Sequence, residues 1–494
     1  MPLCEIVKFD TIAPRGFIKK TMSDTVTLPF PVFVALCVLA VWAAVGSLFI
    51  PSVRWFLRRR VRHVINELNT HLQLKIQPFK LTMRQVLIDR LVYDTEVLKA
   101  VDAHAEETGQ SREEIMARVN IYAREIVPSF NTYAYFRLGY ALARMTVNFL
   151  YRVRLGYSDE EGLSKVDPNA SVVFIMNHRS NVDYILVAYL AATRSALSYA
   201  VGEWARIWPL QTLIKSMGAY FIRRNSGDTL YRKVLARYVA MATAGGVVQA
   251  VYPEGRLSRD GKLQPLKLGL LGYILAGYNP DDGRDLVFIP VGVNYDRTLE
   301  DRSLVRRLDP DAERKSGLYA LKVTVKFILN NFILMFKRRW YRFGYAGVNF
   351  GTPISMTEYI KEKNVDFRKL EKEEFHREVN LFGGKLIKAV GDVIPALPVS
   401  LVATAFLKNE NRRLSELELK AEVYGLMRKL DSAGAHIHIP REDQEYAVTV
   451  GLRMLTLRRL VLEKEGLYTV NPDERVLLEY YANAIRHLFQ PESI

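Results

Sequence analysis

The sequence predicts an α/β fold with a largely parallel, mixed sheet flanked by helices. Between residues 166 and 355, short apolar runs alternate with helical patterns, which is typical of a parallel sheet. These runs are SVVFIM, SYAVG, AYFIRR, VVQAVYPEG, LVFIPVGVNYD and AGVNFGTPI. The stretches on either side have helical periodicity. The predicted organisation is a tail over 1–27, a membrane helix over 28–53, a helical region over 54–165, the α/β domain over 166–355 and a helical region over 356–494.

The charge composition points to anionic partners. Lys and Arg total 69 against 53 Asp and Glu, which gives the 494-residue chain a formal net charge of +16. Anionic lipid, phosphorylated small molecules and nucleic acid all fit such a surface. The two cysteines, Cys4 and Cys37, precede any predicted core. Their position argues against a disulfide framework or a cysteine metal site and indicates a reducing compartment.

The first element is an uncharged run from Thr25 to Val53 whose centre reads PVFVALCVLAVWAAVGSLFIP. Its apolar part is about 20 residues long, the length at which a helix crosses a bilayer. The run is too long for the core of a signal peptide, so we expect it to stay attached. Five arginines follow between residues 54 and 62, a pattern that favours the cytoplasmic side. A spanning helix is therefore predicted, with a re-entrant hairpin between Pro31 and Pro51 as the alternative.

The helical region that follows has a clear start signal. The segment SREEIMARVN has Ser111 and Glu114 at the spacing of a capping box. Further along, polar residues occupy one stripe of an otherwise apolar helical pattern. They are Arg137, Arg144, Asn148 and Arg152. Such a stripe is typical of a helix that lies at lipid headgroups, and equally of a core helix with one solvated edge.

The α/β domain contains a basic and aromatic segment, KFILNNFILMFKRRWYRFGY. Its Lys, Arg, Trp, Tyr and Phe residues suit a membrane interface, and base stacking would use the same residue types. With an apolar anchor upstream, a phospholipid surface is the simpler partner, and we predict no nucleic-acid partner. The C-terminal region has strong apolar periodicity and no evident catalytic constellation.

The chemistry-bearing motif of the domain is NHRSNVD, in which Asp183 follows His178 by five residues. This spacing alone is weak evidence for a catalytic pair, because His438 and Asp443 have the same spacing in HIPRED. Only His178 follows a strand-like run and precedes a helical pattern, where a helix N-terminus favours neutral imidazole. We therefore expect His178 to act as a general base and Asp183 to orient it. The alternative is a turn with capping residues and a bystander histidine.

Two further clusters fall at predicted strand ends. Arg223 and Arg224 end GAYFIRR, where two guanidiniums can face a phosphate. YPEGRLSRDGKLQPLK follows another strand and resembles a phosphate loop superficially, but its glycine spacing is wrong and Leu263 replaces the required Ser or Thr. The sequence therefore argues against a nucleoside-triphosphate site. It also lacks the Gly-x-Ser-x-Gly elbow and the Gly-x-Gly-x-x-Gly fingerprint.

Taken together, four motifs resemble those of the membrane glycerolipid acyltransferases. NHRSNVD, GAYFIRR, YPEGRLSRDGK and IPVGVNYD occur in the order and spacing of that family's motif blocks. The forms of the first two are similar to the glycerol-3-phosphate O-acyltransferase branch rather than the lysophosphatidic acid branch. The resemblance covers residues 110–355, and YYANAIRHLF is similar to that branch's C-terminal extension. One departure is that Arg256 and Leu257 stand where the branch has Gly-Arg.

This resemblance implies transfer of a fatty acyl group to the sn-1 hydroxyl of glycerol 3-phosphate, which yields lysophosphatidic acid for phospholipid synthesis. The donor would be acyl-CoA or acyl carrier protein, and no metal or bound cofactor is required. The implied location is the cytoplasmic face of the inner cell membrane. Pro290 to Tyr295 are expected to shape the acyl-chain side. The implied catalytic residues are His178 and Asp183, and the implied substrate-binding residues are Arg223, Arg224, Glu254, Gly255, Arg256, Ser258 and Arg259.

Three other functions remain open from the sequence. A sister acyltransferase would take lysophosphatidic acid, another lysophospholipid or dihydroxyacetone phosphate as its acceptor. A non-catalytic membrane protein would bind lipid or nucleic acid through the same basic surface, although the intact pair of His178 and Asp183 argues against it. A hydrolase would use water in place of the acceptor hydroxyl.

Overall fold

The computed structural model describes residues 78–132, 134–191, 197–202, 210–223, 226–309 and 343–489. The predicted membrane helix over 28–53 and most of the basic and aromatic segment before residue 345 lie outside these ranges. Within them, no helix combines the length and the apolar character that crossing a bilayer requires.

Helices precede and follow the strands. The α-helices before and within the sheet are α1 (Pro78–Leu81), α2 (Arg84–Val92), α3 (Thr95–Thr108), α4 (Arg112–Ile126), α5 (Tyr140–Leu150), α6 (Glu160–Ser164), α7 (Asp183–Ala191), α8 (Leu210–Ser216), α9 (Thr229–Ala244), α10 (Leu268–Ala276) and α11 (Asp301–Arg306). Those after the sheet are α12 (Met356–Lys363), α13 (Lys372–Asp392), α14 (Pro398–Lys408), α15 (Glu416–Ser432), α16 (Gln444–Leu457) and α17 (Arg475–Ala482). A π-helical turn, Ala134–Gly139, precedes α5. The predicted helix start at Ser111 is confirmed, because its side chain accepts the N–H of Glu114.

The main sheet of the described residues has eight strands. They are β1 (Arg152–Ser158), β2 (Ser171–Met176), β3 (Ser198–Gly202), β4 (Tyr220–Ile222), β5 (Gln249–Val251), β6 (Leu286–Tyr295), β7 (Tyr345–Phe350) and β8 (Ile354–Ser355). Their order is β1-β7-β6-β2-β5-β3-β4, with β8 also on β6. All pairs are parallel except β7 and β8, which run antiparallel to β6. The predicted largely parallel, mixed sheet is therefore confirmed.

Strand β2 lies near the middle of this sheet and is buried on both faces. Val172, Phe174 and Met176 belong to the core on one face. Val173 and Ile175 belong to the core on the other face, together with residues of α2 to α4, α9, α10 and α13. Burial on both faces explains why the strand is a continuous apolar run.

The carboxyl ends of β2, β4 and β5 lie at the same edge of the sheet because these strands run parallel. Asn177 and His178 follow β2, Arg223 follows β4, and Glu254 lies just after β5. In parallel α/β sheets this is the edge where ligands bind. The topology therefore gathers the motifs that the sequence singles out.

The C-terminal region builds its own core from α14 to α17. It also contains a small antiparallel sheet, in the order β10-β11-β9, formed by β9 (Leu414–Ser415), β10 (Val461–Lys464) and β11 (Leu467–Val470). Predicting the region as wholly helical was wrong for these strands, which are short and only partly buried.

Two further expectations are corrected. The helical pattern that continues through Arg152 ends at Leu150, and the next seven residues form β1 at the edge of the sheet, inside the predicted helical region 54–165. The helix α5 buries Ala143 and Val147 and exposes Arg144 together with the apolar Leu142 and Met145, so its assignment to lipid headgroups or to a solvated edge stays a prediction. Phe343 and Tyr345 are core residues, not membrane-facing ones, with 1 % and 3 % of their surface exposed.

Candidate active site

His178 follows β2 directly, at the carboxyl edge of the sheet. Its ring nitrogen Nδ1 lies 2.9 Å from Oδ2 of Asp183, the first residue of α7. Both side chains are buried, with 2 % and 0 % of their surface exposed. The structure thus brings together the two residues that the sequence predicts as base and orienter.

The Asp183 carboxylate is held from several directions. Besides the imidazole, Oδ2 accepts the backbone N–H groups of Arg179 and Ser180 at 2.8 and 3.0 Å, and Oδ1 accepts the Tyr295 hydroxyl at 2.6 Å. Burial raises the pKa of Tyr295 far above its usual value, so this hydroxyl keeps its proton and donates. Because the carboxylate accepts all these bonds, His178 Nδ1 carries the hydrogen and Nε2 presents a lone pair. The arrangement is that of an oriented general base.

Aromatic side chains surround the imidazole. The ring of Tyr252 lies 4.2 Å from that of His178, centroid to centroid, and the ring of Tyr184 lies 5.3 Å away. Burial raises the pKa of Tyr252, which therefore stays neutral. The Tyr184 hydroxyl lies 3.4 Å from His178 Nε2. It occupies the position that the hydroxyl of a reacting molecule would take.

Glu254 holds the backbone of the base. Its Oε1 accepts the N–H of His178 at 2.8 Å, and its Oε2 accepts the N–H of Gln264 at 3.0 Å. The side chain is buried, and burial raises its pKa to about 8 although both N–H bonds lower it. Because the main chain occupies both oxygens, Glu254 positions His178, and its direct contact with a substrate stays a prediction.

The loop 252–267, called the basic loop below, closes against the same histidine. The N–H of Ser258 donates to the His178 carbonyl at 3.0 Å, and the Ser258 hydroxyl donates to the Lys262 carbonyl at 2.7 Å. Gly255 has φ +67°, and a Cβ there would lie 2.8 Å from the Lys267 side chain. This glycine is required because it turns the chain in the left-handed region at a close contact.

The two arginines of the basic loop differ in exposure. Arg256 is exposed and Arg259 is half-buried. A guanidinium at either position is chemically suited to bind an anionic group at this edge of the sheet. Their binding roles stay predictions, as do those of Gly255 and Ser258.

Arg223 is engaged within the protein. Its guanidinium forms two bonds to the carboxylate of Glu125 in α4, at 3.0 and 2.7 Å, and it lies 5.0 Å from the rings of both Tyr122 and Tyr231. The Glu125 carboxylate raises the pKa of Arg223. Strand β4 lies three strands from β2, about 14 Å at the usual strand spacing. Arg224 lies outside the described residues, and phosphate binding by either arginine stays a prediction.

The second histidine motif is built differently. Asp443 caps α16 by accepting the N–H of Tyr446 at 3.0 Å. His438 Nε2 is buried without a hydrogen-bond partner, and its ring lies 5.0 Å from that of Tyr345. In the part of the chain that the structure describes, no hydrogen bond joins His438 to Asp443. The prediction that His178, unlike His438, lies between a strand end and a helix N-terminus is confirmed.

Several residues at the site were not singled out from the sequence. Glu300 accepts the Ser180 hydroxyl at 2.7 Å and the side-chain N–H of Asn181 at 3.1 Å. Tyr252 stands inside a quoted motif, and its aromatic character next to a strand end was the available signal. The role of Pro290 to Tyr295 on the acyl-chain side stays a prediction, and the bond from Tyr295 to Asp183 was not expected. Nothing in the sequence marks Glu300, which lies 120 residues from Ser180.

The described residues contain no group of three or more His, Cys, Asp or Glu side chains that could hold a metal ion. What the described geometry provides is an imidazole whose Nδ1 is bonded to Asp183 and whose Nε2 faces the Tyr184 hydroxyl, next to a loop that carries arginines.

Comparison with known proteins yields two family matches. Residues 158–294 match the model described as Acyltransferase, and residues 330–494 match the model described as Glycerol-3-phosphate acyltransferase C-terminal region. The first contains His178, Asp183 and the basic loop, and the second contains the C-terminal helices α14 to α17.

Curated relatives cover most of this chain. The Glycerol-3-phosphate acyltransferase of Xanthomonas axonopodis pv. citri is 25 % identical over 429 residues, which are 84 % of this chain and 47 % of that protein. Its namesake in Aeromonas hydrophila subsp. hydrophila is 26 % identical over 428 residues, 84 % of this chain and 51 % of that protein. The chain thus spans about half the length of the curated relatives it matches. A solved structure, the 1-acyl-sn-glycerophosphate (LPA) acyltransferase PlsC of Thermotoga maritima, aligns with 62 % of this chain and 97 % of that chain at 13 % identity and a TM-score of 0.30, a likeness too weak to carry an argument.

Proposed function

We propose, on the premise that this chain belongs to the glycerol-3-phosphate acyltransferase family of the glycerolipid acyltransferases, that it acylates the sn-1 hydroxyl of glycerol 3-phosphate. The acyl donor is a thioester of coenzyme A or acyl carrier protein, and the product is lysophosphatidic acid. Both substrates are small molecules or carriers that reach the site from the cytoplasmic side of a membrane.

The observation that carries this proposal is the hydrogen-bonded pair of His178 and Asp183. With Nδ1 committed to Asp183, Nε2 accepts the proton of the acceptor hydroxyl as its oxygen forms the bond to the thioester carbonyl carbon. The Asp183 carboxylate stabilises the imidazolium that results. The acceptor hydroxyl replaces that of Tyr184 beside Nε2.

The second half of the reaction returns the proton. When the tetrahedral intermediate collapses, the carbon–sulfur bond breaks and the imidazolium gives its proton to the leaving thiolate. Atoms and charges balance over the two steps. No side-chain nucleophile is needed, because the acceptor oxygen itself forms the bond to the thioester carbon. No metal or bound cofactor takes part, and the acyl donor is a co-substrate. Backbone N–H groups near Gly255 or the start of α7 are the candidates that would stabilise the oxyanion.

The phosphate of the acceptor is proposed to lie against the arginines at the same edge of the sheet. Arg256 and Arg259 lie in a loop whose Ser258 bonds to the backbone of His178. Arg224 follows the strand end that Arg223 and Glu125 fix, so it is a further candidate. Guanidinium groups suit phosphate because they offer two parallel N–H donors.

We also propose that the enzyme works on the cytoplasmic face of the inner membrane, attached by the apolar run over 28–53. The support is the sequence: about 20 apolar residues are enough to cross a bilayer, and five arginines follow within residues 54–62. A phospholipid surface is then both the anchor and the destination of the product.

The test is acyl transfer by membranes that contain the full chain. Labelled glycerol 3-phosphate and palmitoyl-CoA or palmitoyl carrier protein are supplied, and labelled lysophosphatidic acid is measured for the wild type and for His178→Ala. We expect product from the wild type and a rate about 10²–10⁴-fold smaller from the variant, which is the usual contribution of a general base. Arg256→Gln and Arg224→Gln should raise the KM for glycerol 3-phosphate more than they lower kcat.

Other outcomes redirect the proposal. Acylation of lysophosphatidic acid or dihydroxyacetone phosphate, but not of glycerol 3-phosphate, would replace the acceptor and keep the mechanism. Release of free fatty acid without any acceptor would indicate a hydrolase. Equal activity in the wild type and His178→Ala would contradict the catalytic role of the pair.

A further inference from the structure

Arg179, the residue after the base, is a buried cation with few polar partners. Only 3 % of its surface is exposed. Its Nη1 donates to the carbonyl of Gly261 in the basic loop, and its guanidinium carbon lies 4.7 Å from the centre of the Tyr480 ring. Within the described residues, Nε and Nη2 have no hydrogen-bond partner. The face of Tyr480 therefore contributes to the compensation for burying this charge, together with the nearby Glu254.

Tyr480 belongs to α17, in the C-terminal region, and its neighbourhood contacts the basic loop as well. A Cβ on Gly261 would lie 1.9 Å from the Tyr480 carbonyl oxygen, so the two main chains touch. Gly261 also has φ +84°. One turn later, the side-chain N–H of Asn483 donates to the Asp260 carbonyl at 2.9 Å. The end of α17 thus covers residues 260 and 261 closely.

These contacts join three segments that are far apart in the chain. The loop of the base, residues 177–182, meets the basic loop through His178 and meets α17 through Arg179. The basic loop in turn meets α17 through Gly261. If the arginines of the basic loop bind the phosphate, the distance between phosphate and base depends on this three-way contact.

We propose that Arg179 is a positioning residue. Its contacts with Gly261 and Tyr480, called the clamp below, let the C-terminal region keep His178 aligned with the basic loop. Its kinetic consequence rests on the proposed function, because it concerns the alignment of the acceptor hydroxyl with His178. Its structural consequence does not, because it concerns how firmly the two loops are held.

The clamp can be weakened without releasing the C-terminal region. The next residue, Tyr481, donates to the Asp301 carboxylate and accepts a bond from Arg458 at 2.7 Å. Arg458 also bonds to Asp301, at 2.5 Å. This buried cluster attaches the region through residues other than Tyr480, although Tyr480 is itself a member of the core of α14 to α17.

The experiment compares Arg179→Met, Arg179→Lys, Tyr480→Leu and Tyr480→Phe in the full chain, in membranes, together with the double variant Arg179→Met/Tyr480→Leu. We expect Arg179→Met and Tyr480→Leu each to lower kcat about 30-fold, the size of a desolvated cation–π contact. The conservative variants should restore most of that loss, because lysine keeps the charge and phenylalanine keeps the ring. The double variant should be no slower than the slower single variant, since both changes break one unit.

Tyr446→Leu is the matched control. Its ring lies 4.3 Å from the guanidinium carbon of Arg441, another arginine–tyrosine contact of the C-terminal region. We expect this variant to keep the wild-type kcat and KM. Because Tyr446 is half-buried and Tyr480 is fully buried, Arg179→Met, which leaves the Tyr480 ring in place, separates the loss of the contact from a general loss of packing.

Hydrogen exchange of the backbone gives a readout that does not depend on activity. The amides of His178 and Ser258 join the two loops, and we expect them to exchange at least about tenfold faster in Arg179→Met and Tyr480→Leu, but not in Tyr446→Leu. If the wild type fails to acylate glycerol 3-phosphate while these amides lose protection in Arg179→Met and Tyr480→Leu, the clamp is supported and the proposed function is contradicted. Unchanged exchange together with unchanged kcat in Arg179→Met would overturn the clamp.

Discussion

Two segments of this chain carry histidine and aspartate at the same spacing, and they have different structures. In HRSNVD, the chain wraps around the carboxylate, and Asp183 Oδ2 accepts His178 Nδ1, Arg179 N and Ser180 N. In HIPRED, Asp443 accepts a bond from the residues that follow it and caps α16. The spacing is equal, so the residues between, and the elements on either side, must account for the difference.

The third residue of each segment supplies a physical reason. Ser180 donates its backbone N–H to the aspartate at 3.0 Å, whereas Pro440 at the equivalent position has no N–H to donate. Pro440 instead starts a short 3-10 turn, and the backbone N–H of His438 donates to Ala396 at 2.9 Å. In these two segments, equal spacing is not enough to form the histidine–aspartate pair, and backbone N–H donors between the two residues are needed as well.

The largest expected difference between the segments is in activity. His178→Gln should lower kcat by about 10³-fold, because it removes the group that takes the proton. His438→Gln should keep wild-type activity, since its ring contacts Tyr345 and no part of the site. Acyl transfer measured side by side in membranes checks this pair. A comparable loss in both variants would mean that the two segments are functionally alike.

Exchanging aspartate for asparagine sharpens the comparison. Asp183→Asn keeps an oxygen for the donors on Oδ2 and faces Tyr295 with its amide, but it cannot stabilise an imidazolium, so we expect kcat to fall about 10²-fold. Asp443→Asn should change neither activity nor thermal stability, because asparagine caps a helix as well as aspartate does. Kinetics and thermal unfolding of both variants test this. Loss of stability in Asp443→Asn would show that its charge matters.

Introducing the proline of the second segment into the first tests whether the backbone N–H of Ser180 explains the difference. Ser180→Pro removes one N–H from Asp183, and we expect kcat to fall between about 10-fold and 10²-fold as the pair loses its orientation. Ser180→Ala keeps the N–H and loses only the two bonds of the hydroxyl, which donates to Glu300 and accepts the N–H of Val182. It should therefore retain more activity than the proline variant. Equal rates for the two variants would remove the backbone N–H from the explanation.

The sequence is a good guide to the buried parts of the fold. Strands β2 and β3 form over the residues predicted, 171–176 and 198–202, because runs of buried β-branched residues have few other structures open to them. Strand β1 was missed because its RVRLGYS is largely exposed and continues a helical pattern. Edge strands depend on their neighbours more than on their own composition.

The site was predictable only where its residues are close in sequence. His178 and Asp183 are five positions apart and are flanked by a strand and a helix, so pattern and spacing were enough. Tyr295, which holds Asp183, is 112 residues away from it, and Tyr480 lies further still from Arg179. Contacts of that range follow from the topology of the sheet and from the docking of α17, which no local pattern encodes.

The two regions should also respond to pH in opposite directions. At the active site, burial raises the pKa of Glu254 from 4.5 to about 8. Between these values the folded state keeps a proton that the unfolded state has released, so the free energy of unfolding falls as pH rises. The slope is at most about 1.4 kcal/mol per pH unit. Glu254→Gln should lessen it without removing it, because burial also raises the pKa of Asp296 to about 7, and denaturant unfolding at several pH values measures the difference. The same slope in wild type and variant would contradict the assignment.

At the second segment the sign reverses, and the effect is smaller. Burial lowers the pKa of His438 below 6.5, and the nearby Arg154 lowers it further. Below pH 6.5 the unfolded state therefore binds more protons than the folded state, so the free energy of unfolding falls as pH decreases. His438→Gln should lessen that fall without removing it, because burial also lowers the pKa of His436, whose ring stacks on Tyr157 at 4.1 Å. The measurement is again unfolding against pH, with His436→Gln as the companion variant. A steeper fall in His438→Gln than in the wild type would mean that His438 gains a proton more readily in the folded state, as it would with an acidic partner of the kind that His178 has in Asp183.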